Sequence, residues 1–302
     1  MIYDISHRTT FSYSASVSIS QHLTHLAPRS HPQQTVLKHA LIVEPSPTVM
    51  RHDTDYFGNP TTYLTVEEPH DELVVDATST VDITPVEPPA AANTPPWDDI
   101  IPALSQAHDA ESLAAYQFAF ESPFTGSAKA ADYAQPSFLP GRPILEAAID
   151  LMSRIFRDFK YEGGVTDVYT PVDTVIDDRR GVCQDFAHLQ IACMRGLGLP
   201  ARYVSGYLLT YPPPGQEKLV GSDASHAWLA VWVPGHGWVD LDPTNNMIPG
   251  IEHITVAWGR DYGDVSPING LVLGGGHHAI DVAVDVRQVG EQAPPAAPAE
   301  AP

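Results

Sequence analysis

Cysteine is nearly missing from this 302-residue chain, which has only two. Cys183 and Cys193 stand ten residues apart in one segment of helical periodicity. That is about 15 Å at the helical rise, too far for a disulfide. A disulfide-held scaffold is excluded, and a reducing, cytoplasmic setting is expected. Basic residues are scarce too: 16 Lys and Arg against 37 Asp and Glu, a formal net charge of −21. This charge opposes nucleic-acid backbones and anionic membranes, so neither is an expected partner, and it reads as a solvated acidic surface. No apolar run reaches the ~18 residues of a membrane span. Met1 to Ser6 lack the basic start and apolar segment of an export signal. No Cys-x-x-Cys or His-x-x-x-His element accompanies the remaining candidates, so neither a metal nor a cofactor is expected. His22, His25, His277 and His278 read as surface or strand histidines. Gly274-Gly275-Gly276 lacks the Lys and Ser/Thr of a phosphate loop. There is no internal repeat.

What is present suits a soluble globular protein, with 43% apolar and 18% charged residues. The length predicts two domains. Residues 1–85 read as an all-β domain: short Thr, Val, Tyr and Ile runs broken by turn signals, with Thr35–Val43 and Leu73–Ile83 the clearest strands. Residues 86–100 are Pro/Ala-rich and read as a linker. Residues 101–287 read as a second domain, a helical insert followed by a core and C-terminal strands. Asp109–Phe120 is apolar at helical spacing. Leu145, Ile149, Met152, Phe156 and Phe159 form a helical stripe behind Pro143. Cys183–Arg195 is a helix closed by Gly196-Leu197-Gly198. Ala201–Leu209, Ala227–Val233 and Gly237–Leu241 are strands, and Ile280, Val282, Val284 and Val286 alternate as another. Residues 288–302 read as a disordered tail. The expected class is α+β.

Cys183, at a helix start, is followed by His226 and then Asp242. A thiol, an imidazole and a carboxylate in this order suit nucleophilic acyl transfer. A free thiol, with a pKa near ~8.5, is mostly unionised at neutral pH. Unpaired N–H groups at a helix N-terminus and a nearby imidazole favour its thiolate, and a carboxylate holds the imidazole in one tautomer. Cys193 shares a helix face with Phe186 and Leu189 and reads as core. If residues 232–236 connect the strands, His226 falls opposite Asp242; a two-residue turn at Gly235-His236 would put Asp242 on the wrong face. A triad therefore requires an odd-length connection or a bulge. Asp240 shares the face of Asp242, but aligning it would draw the turn into Trp232-Val233. Zinc held by the same three side chains is the weaker reading.

Gly181-Val182-Cys183-Gln184-Asp185-Phe186-Ala187-His188, Leu199–Tyr207, Ser225-His226-Ala227-Trp228, Gly237–Thr244 and Gly259–Val265 resemble the transglutaminase-like superfamily. His7–Tyr13 and Asp55–Asn59 are similar to the companion domain of its bacterial branch. The resemblance implies a papain-like transglutaminase core, with a Cys-bearing helix on an antiparallel sheet carrying His and Asp, beside an N-terminal all-β domain. It implies Cys183 as nucleophile, His226 as base and Asp242 as orienting acid. A peptide or protein substrate is implied, with hydrolysis of a thioester as in a cysteine protease or amidase. The alternatives are an amine-accepting protein-glutamine transglutaminase and a non-catalytic binding module on the same fold. No Gln stands six residues before Cys183, so the oxyanion donor besides the Cys183 N–H is left open, with Tyr161 one candidate.

Overall fold

The computed structural model describes residues 1–211 and 225–290. Residues 212–224 lie outside the described residues, as do residues 291–302 of the tail read above as disordered.

The first strand, β1 (Ile2–Thr24), is the axis of a seven-stranded sheet. It is joined by β2 (Gln34–Glu44), β3 (Val49–Thr54), β4 (Pro60–Val66) and β5 (His70–Ile83) in the order β2-β5-β1-β4-β3. Tyr3, Ile5, His7 and Thr9 alternate inward, as a one-sided sheet requires. Single turns at Ala91–Asn93 and Trp97–Asp99 lead into α1 (Ile100–Ser105), α2 (Ala110–Tyr116), α3 (Ala130–Ala134) and α4 (Ile144–Asp158). Segment 86–100 is thus not a free linker. Thr94 is buried, its Oγ1 accepts from Leu145 N–H, the Pro95 carbonyl accepts from Ile144 N–H, and the Arg142 carbonyl accepts from Trp97 N–H. It supplies acceptors for first-turn N–H groups of α4, which Pro143 cannot cap with its side chain. Composition does not show that the segment is docked, with Ile100 buried in the core and Ala91 and Trp97 packed against it.

Beyond α4 come β6 (Lys160–Tyr161), α5 (Val172–Asp178), β7 (Arg180–Gly181) and α6 (Cys183–Gly196). A second sheet follows: β8 (Ala201–Leu208), β9 (Ser225–Val233), β10 (Gly237–Leu241) and β11 (His253–Gly259), in the order β10-β9-β8-β11 and antiparallel throughout. Helix α6 covers one face. Phe186, Leu189 and the fully buried Cys193 share a core with Ala227, Leu229 and Val231. The alternate residues of β9, His226, Trp228 and Ala230, face the other way, where Trp228 and Ala230 pack with Val204.

The last strands, β12 (Ile268–Gly274) and β13 (His278–Gln288), were expected with the 101–287 domain. They pair with β1 instead: β13 along its first half opposite β5, β12 along its second half opposite β4. Alternation in 280–286 identifies a strand but says nothing about its partner. Val284 and Val286 join Tyr3, Ile5 and Val81 in one hydrophobic core with Leu151, Leu189 and Val231. The N-terminal sheet and the helical core are therefore fused through shared packing.

Two side-chain amides secure the outer edge of β11. Gln34 Nε2 donates to the Thr255 carbonyl at 2.7 Å while its Oε1 accepts from Thr255 N–H at 2.9 Å. Asn59 treats Trp258 the same way, at 2.8 and 3.0 Å. Asn59 is itself held by Asp55, whose Oδ1 accepts from the Phe57 and Asn59 N–H groups. The Asp55–Asn59 motif is thus a device for pairing an otherwise open sheet edge. Beside it, the buried Arg29 and Arg202 guanidiniums lie over the Trp258 ring, 3.1 and 3.7 Å from its centroid.

Candidate active site

Cys183 is the first residue of α6 and is half-buried. Val182 is extended, and the Asp185 carboxylate reaches back to accept from Val182 N–H at 2.7 Å and from Thr166 Oγ1 at 2.7 Å. Burial pushes the Asp185 carboxyl above its ordinary range. Gly181 is required here, because a Cβ at that position would lie 2.7 Å from Asp185 Oδ2. The Gly-Val-Cys-Gln-Asp string is therefore a helix start that places a sulfur where unpaired N–H groups favour negative charge.

His226, the second residue of β9, lies opposite Gly206, where a Cβ would meet the Ile254 carbonyl at 2.1 Å and the Trp228 ring at 2.5 Å. Glycine lets β11 and Trp228 close up beside the imidazole. Asp242 follows β10 and is fully buried in a loop that folds back on Met247. Its Oδ1 accepts from Thr244 N–H (2.9 Å) and Asn245 N–H (3.2 Å). Its Oδ2 accepts from His226 Nε2 (2.8 Å), Asn245 Nδ2 (2.7 Å) and His253 Nε2 (3.1 Å). A carboxylate so surrounded has no proton to give, so the His226 proton sits on Nε2 and Nδ1 is left as the basic nitrogen. Burial pushes His226 down, but hydrogen bonds to Asp242 and Cys183 outweigh it and raise the imidazole to about 9. Burial pushes Asp242 up, and the bonds from His226 and His253 more than reverse this, leaving it well below the carboxylate range.

The three residues singled out by sequence thus come together, but by a different register. The β9–β10 connection is Pro234–His236, with Val233 opposite Gly237, and not residues 232–236. Gly235 and Gly237 both take positive φ, at 80° and 82°, which permits the shorter turn. Continuing the pairing puts Asp242 opposite Trp228, so it reaches His226 diagonally along the shared face. The connection is odd in length, as the parity argument required. Asp240 lies opposite Ala230 and accepts from Trp228 Nε1 at 2.9 Å. Tyr161, 57% exposed, lies close enough to Cys183 for charge on the sulfur to push its phenol up, after the larger effect of burial. His188 is buried and pushed down to about 3 by desolvation, its Nε2 accepting from Tyr262 N–H.

Sequence reasoning missed His253. It stands alone in a strand-like run, eleven residues past Asp242, and no spacing rule links the two. The ligand atoms of His226, Asp242 and His253 lie within 4.8 Å of one another. The protons on both Nε2 atoms already account for that convergence, and among the described residues His253 Nδ1 has no partner such as an ion-binding histidine normally has. A groove of about 480 Å³ between residues 83–89 and β10–β11 has Asp240 and His253 in its wall. Cys183 and His226 do not line it, so it lies behind the site.

A helix N-terminus set against an antiparallel sheet, with a thiol on one and an imidazole–carboxylate pair on the other, is a papain-like core. Residues 3–82 match the bacterial transglutaminase-like N-terminal region and residues 131–243 match the transglutaminase-like superfamily. An uncharacterised protein of Mycobacterium tuberculosis (strain ATCC 25618 / H37Rv) is 41% identical over 293 residues, covering 94% of this chain and 92% of the relative. This chain belongs to the transglutaminase-like superfamily. A protein-glutamine gamma-glutamyltransferase of Pseudomonas aeruginosa is 37% identical over 78 residues, 26% of this chain and 12% of that protein. A crystal structure of a proposed cysteine protease from Cytophaga hutchinsonii shares the fold, with a TM-score of 0.75 at 23% identity, covering 96% of this chain and 91% of that one.

Proposed function

We propose that this protein is a thiol-dependent acyl-transfer enzyme acting on peptide or carboxamide bonds, with Cys183 as nucleophile, His226 as base and Asp242 as orienting acid. One observation carries the reading: Asp242 Oδ2 accepts from His226 Nε2, which leaves Nδ1 as the basic nitrogen of an imidazole beside Cys183 at a helix N-terminus. Cys183 Sγ gives its proton to Nδ1 and attacks the carbonyl carbon. The C–N bond breaks, the amine leaves with the proton from Nδ1, and a thioester remains. Water then attacks with Nδ1 as base, releasing the acid and restoring the thiol. Hydrolysis is favoured because Cys183 is only half-buried and the Tyr161 beside it is exposed, so water can reach the thioester. Tyr161 and the Cys183 N–H are proposed as oxyanion donors.

The Pseudomonas match supports a second reading, in which a primary amine resolves the thioester. Incubation with a glutamine peptide, with and without a primary amine, separates the two: ammonia released without amine incorporation is expected. Cys183→Ala should abolish ammonia release in a folded protein while Cys193→Ser retains part of it. Undiminished release from Cys183→Ala would sink the assignment.

A further inference from the structure

The carboxylate that orients His226 has a second imidazole on it. We propose that His253 is a positioning residue that shares Asp242 Oδ2 with His226 and so sets how strongly the carboxylate holds the His226 proton. The proposal rests on the reading of Cys183, His226 and Asp242 as nucleophile, base and orienting acid.

Four observations support it. His253 Nε2 lies 3.1 Å from the same oxygen that accepts from His226 at 2.8 Å. Asp242 can only accept, so the His253 proton is on Nε2 and Nδ1 is an acceptor. That Nδ1 is buried with no hydrogen-bond partner among the described residues. A buried polar atom left unpaired is destabilising, a cost that an aromatic or aliphatic residue would avoid if the position only filled space. The ring is also fixed: Trp228 meets it edge-on with centroids 5.2 Å apart, and the His226 ring lies 6.0 Å away. Finally, His253 comes from β11, while the other side chains bonded to Asp242 come from β9 and from its own loop. The backbone N–H groups of Thr244 and Asn245 already orient the carboxylate through Oδ1. What His253 adds is a donor on Oδ2, in competition with His226.

Each donor on a carboxylate stabilises its charge and makes it a weaker base. Sharing Oδ2 therefore loosens the grip of Asp242 on the His226 proton. A general acid must release its proton to the leaving amine, and it does so best with a pKa near the working pH. Without His253 the imidazolium would be held harder. Among the described residues, the ionisable groups near the two rings include Cys183 from α6, Asp240 from β10 and His31 across the groove.

The test is a histidine-labelled Cys183→Ala protein, in which two-bond proton–nitrogen spectra read each ring's tautomer and midpoint. His253 should carry its proton on Nε2. His253→Phe should raise the His226 midpoint by about 0.5–1 unit. His253→Gln, whose amide can reach the same oxygen, should restore it. A His253 proton on Nδ1, or a His226 midpoint unmoved in His253→Phe, overturns the proposal. If His253→Phe does not fold, the tautomer in the unsubstituted ring decides alone. Asp242→Asn serves as the control: if it leaves the His226 midpoint unchanged, the orienting-acid reading itself fails. If only His253→Phe is silent, that reading stands without this one.

Discussion

Asp240 and Asp242 point to the same face two residues apart, yet they have different work. Asp242 is buried under donors and faces the imidazole, whereas Asp240 holds Trp228 Nε1 and offers its charge to the buried Arg202, which desolvation pushes down to about 9. Asp242→Asn puts an amide N–H where His226 needs an acceptor, so the imidazole turns to the wrong tautomer. Turnover of a glutamine peptide should fall by about 10³–10⁴ with the fold retained. Asp240→Asn keeps an acceptor for Trp228 and should lose far less. Rates for the two folded variants check this, and the reverse order would exchange their roles. Period-2 alternation made both residues legible as one face. Alignment opposite His226, the argument that favoured Asp242, does not hold in the structure. What selects Asp242 is its place just past the strand, where the chain turns and backbone N–H groups can converge on a carboxylate.

Among the elements, β11 is the one whose environment local sequence conceals. Its outer edge is paired by Gln34 and Asn59, which stand 221 and 199 residues away in sequence. Only one strand of the second sheet lies between it and β9, and it carries His253 to Asp242. Gln34→Ala would leave a buried N–H and carbonyl at Thr255 unpaired, two residues from His253. We expect a loss of about 1–3 kcal/mol in urea unfolding, with activity at a matched folded fraction falling alongside. An unchanged unfolding midpoint would show that water replaces the amide without cost. Stripes such as Leu145–Met152 and the Cys183 helix were readable because burial follows the helical period. The turn at Pro234–His236 was not, since one residue more or less shifts the register and two positive-φ glycines allow several lengths. The docking of segment 86–100 was hidden for a related reason: its partners are backbone groups of α4, which no side-chain pattern advertises.

Across the whole molecule, buried histidines set the dependence of stability on pH. His188 is held down to about 3 and His7 to about 4, both by desolvation. Unfolded imidazoles titrate near ~6.5. Below that pH the unfolded chain takes up protons that the folded chain refuses, so stability falls as the pH drops towards 4. His226, raised to about 9, has the opposite sign: its contribution is complete below its unfolded pKa and is lost as the pH rises through 9. The lowered Asp242 adds a contribution present above the ordinary carboxylate range and lost in acid. The urea midpoint should therefore peak near neutrality and fall on both sides. A midpoint that climbs steadily towards pH 5 would contradict the buried-neutral state of His7 and His188.

The pairing of β1 also governs how the chain can be made. Synthesis delivers β1 well before its neighbours β12 and β13, yet Ile2 ends up accepting a hydrogen bond from Val289. While the ribosome works through the intervening residues, one flank of a 23-residue strand has no native partner. Cys183, His226 and Asp242 are all translated before that flank closes. The sheet that steadies β11 from the far side is finished only once β13 has been made, so the nascent chain holds Cys183, His226 and Asp242 well before it holds the frame that keeps them in register.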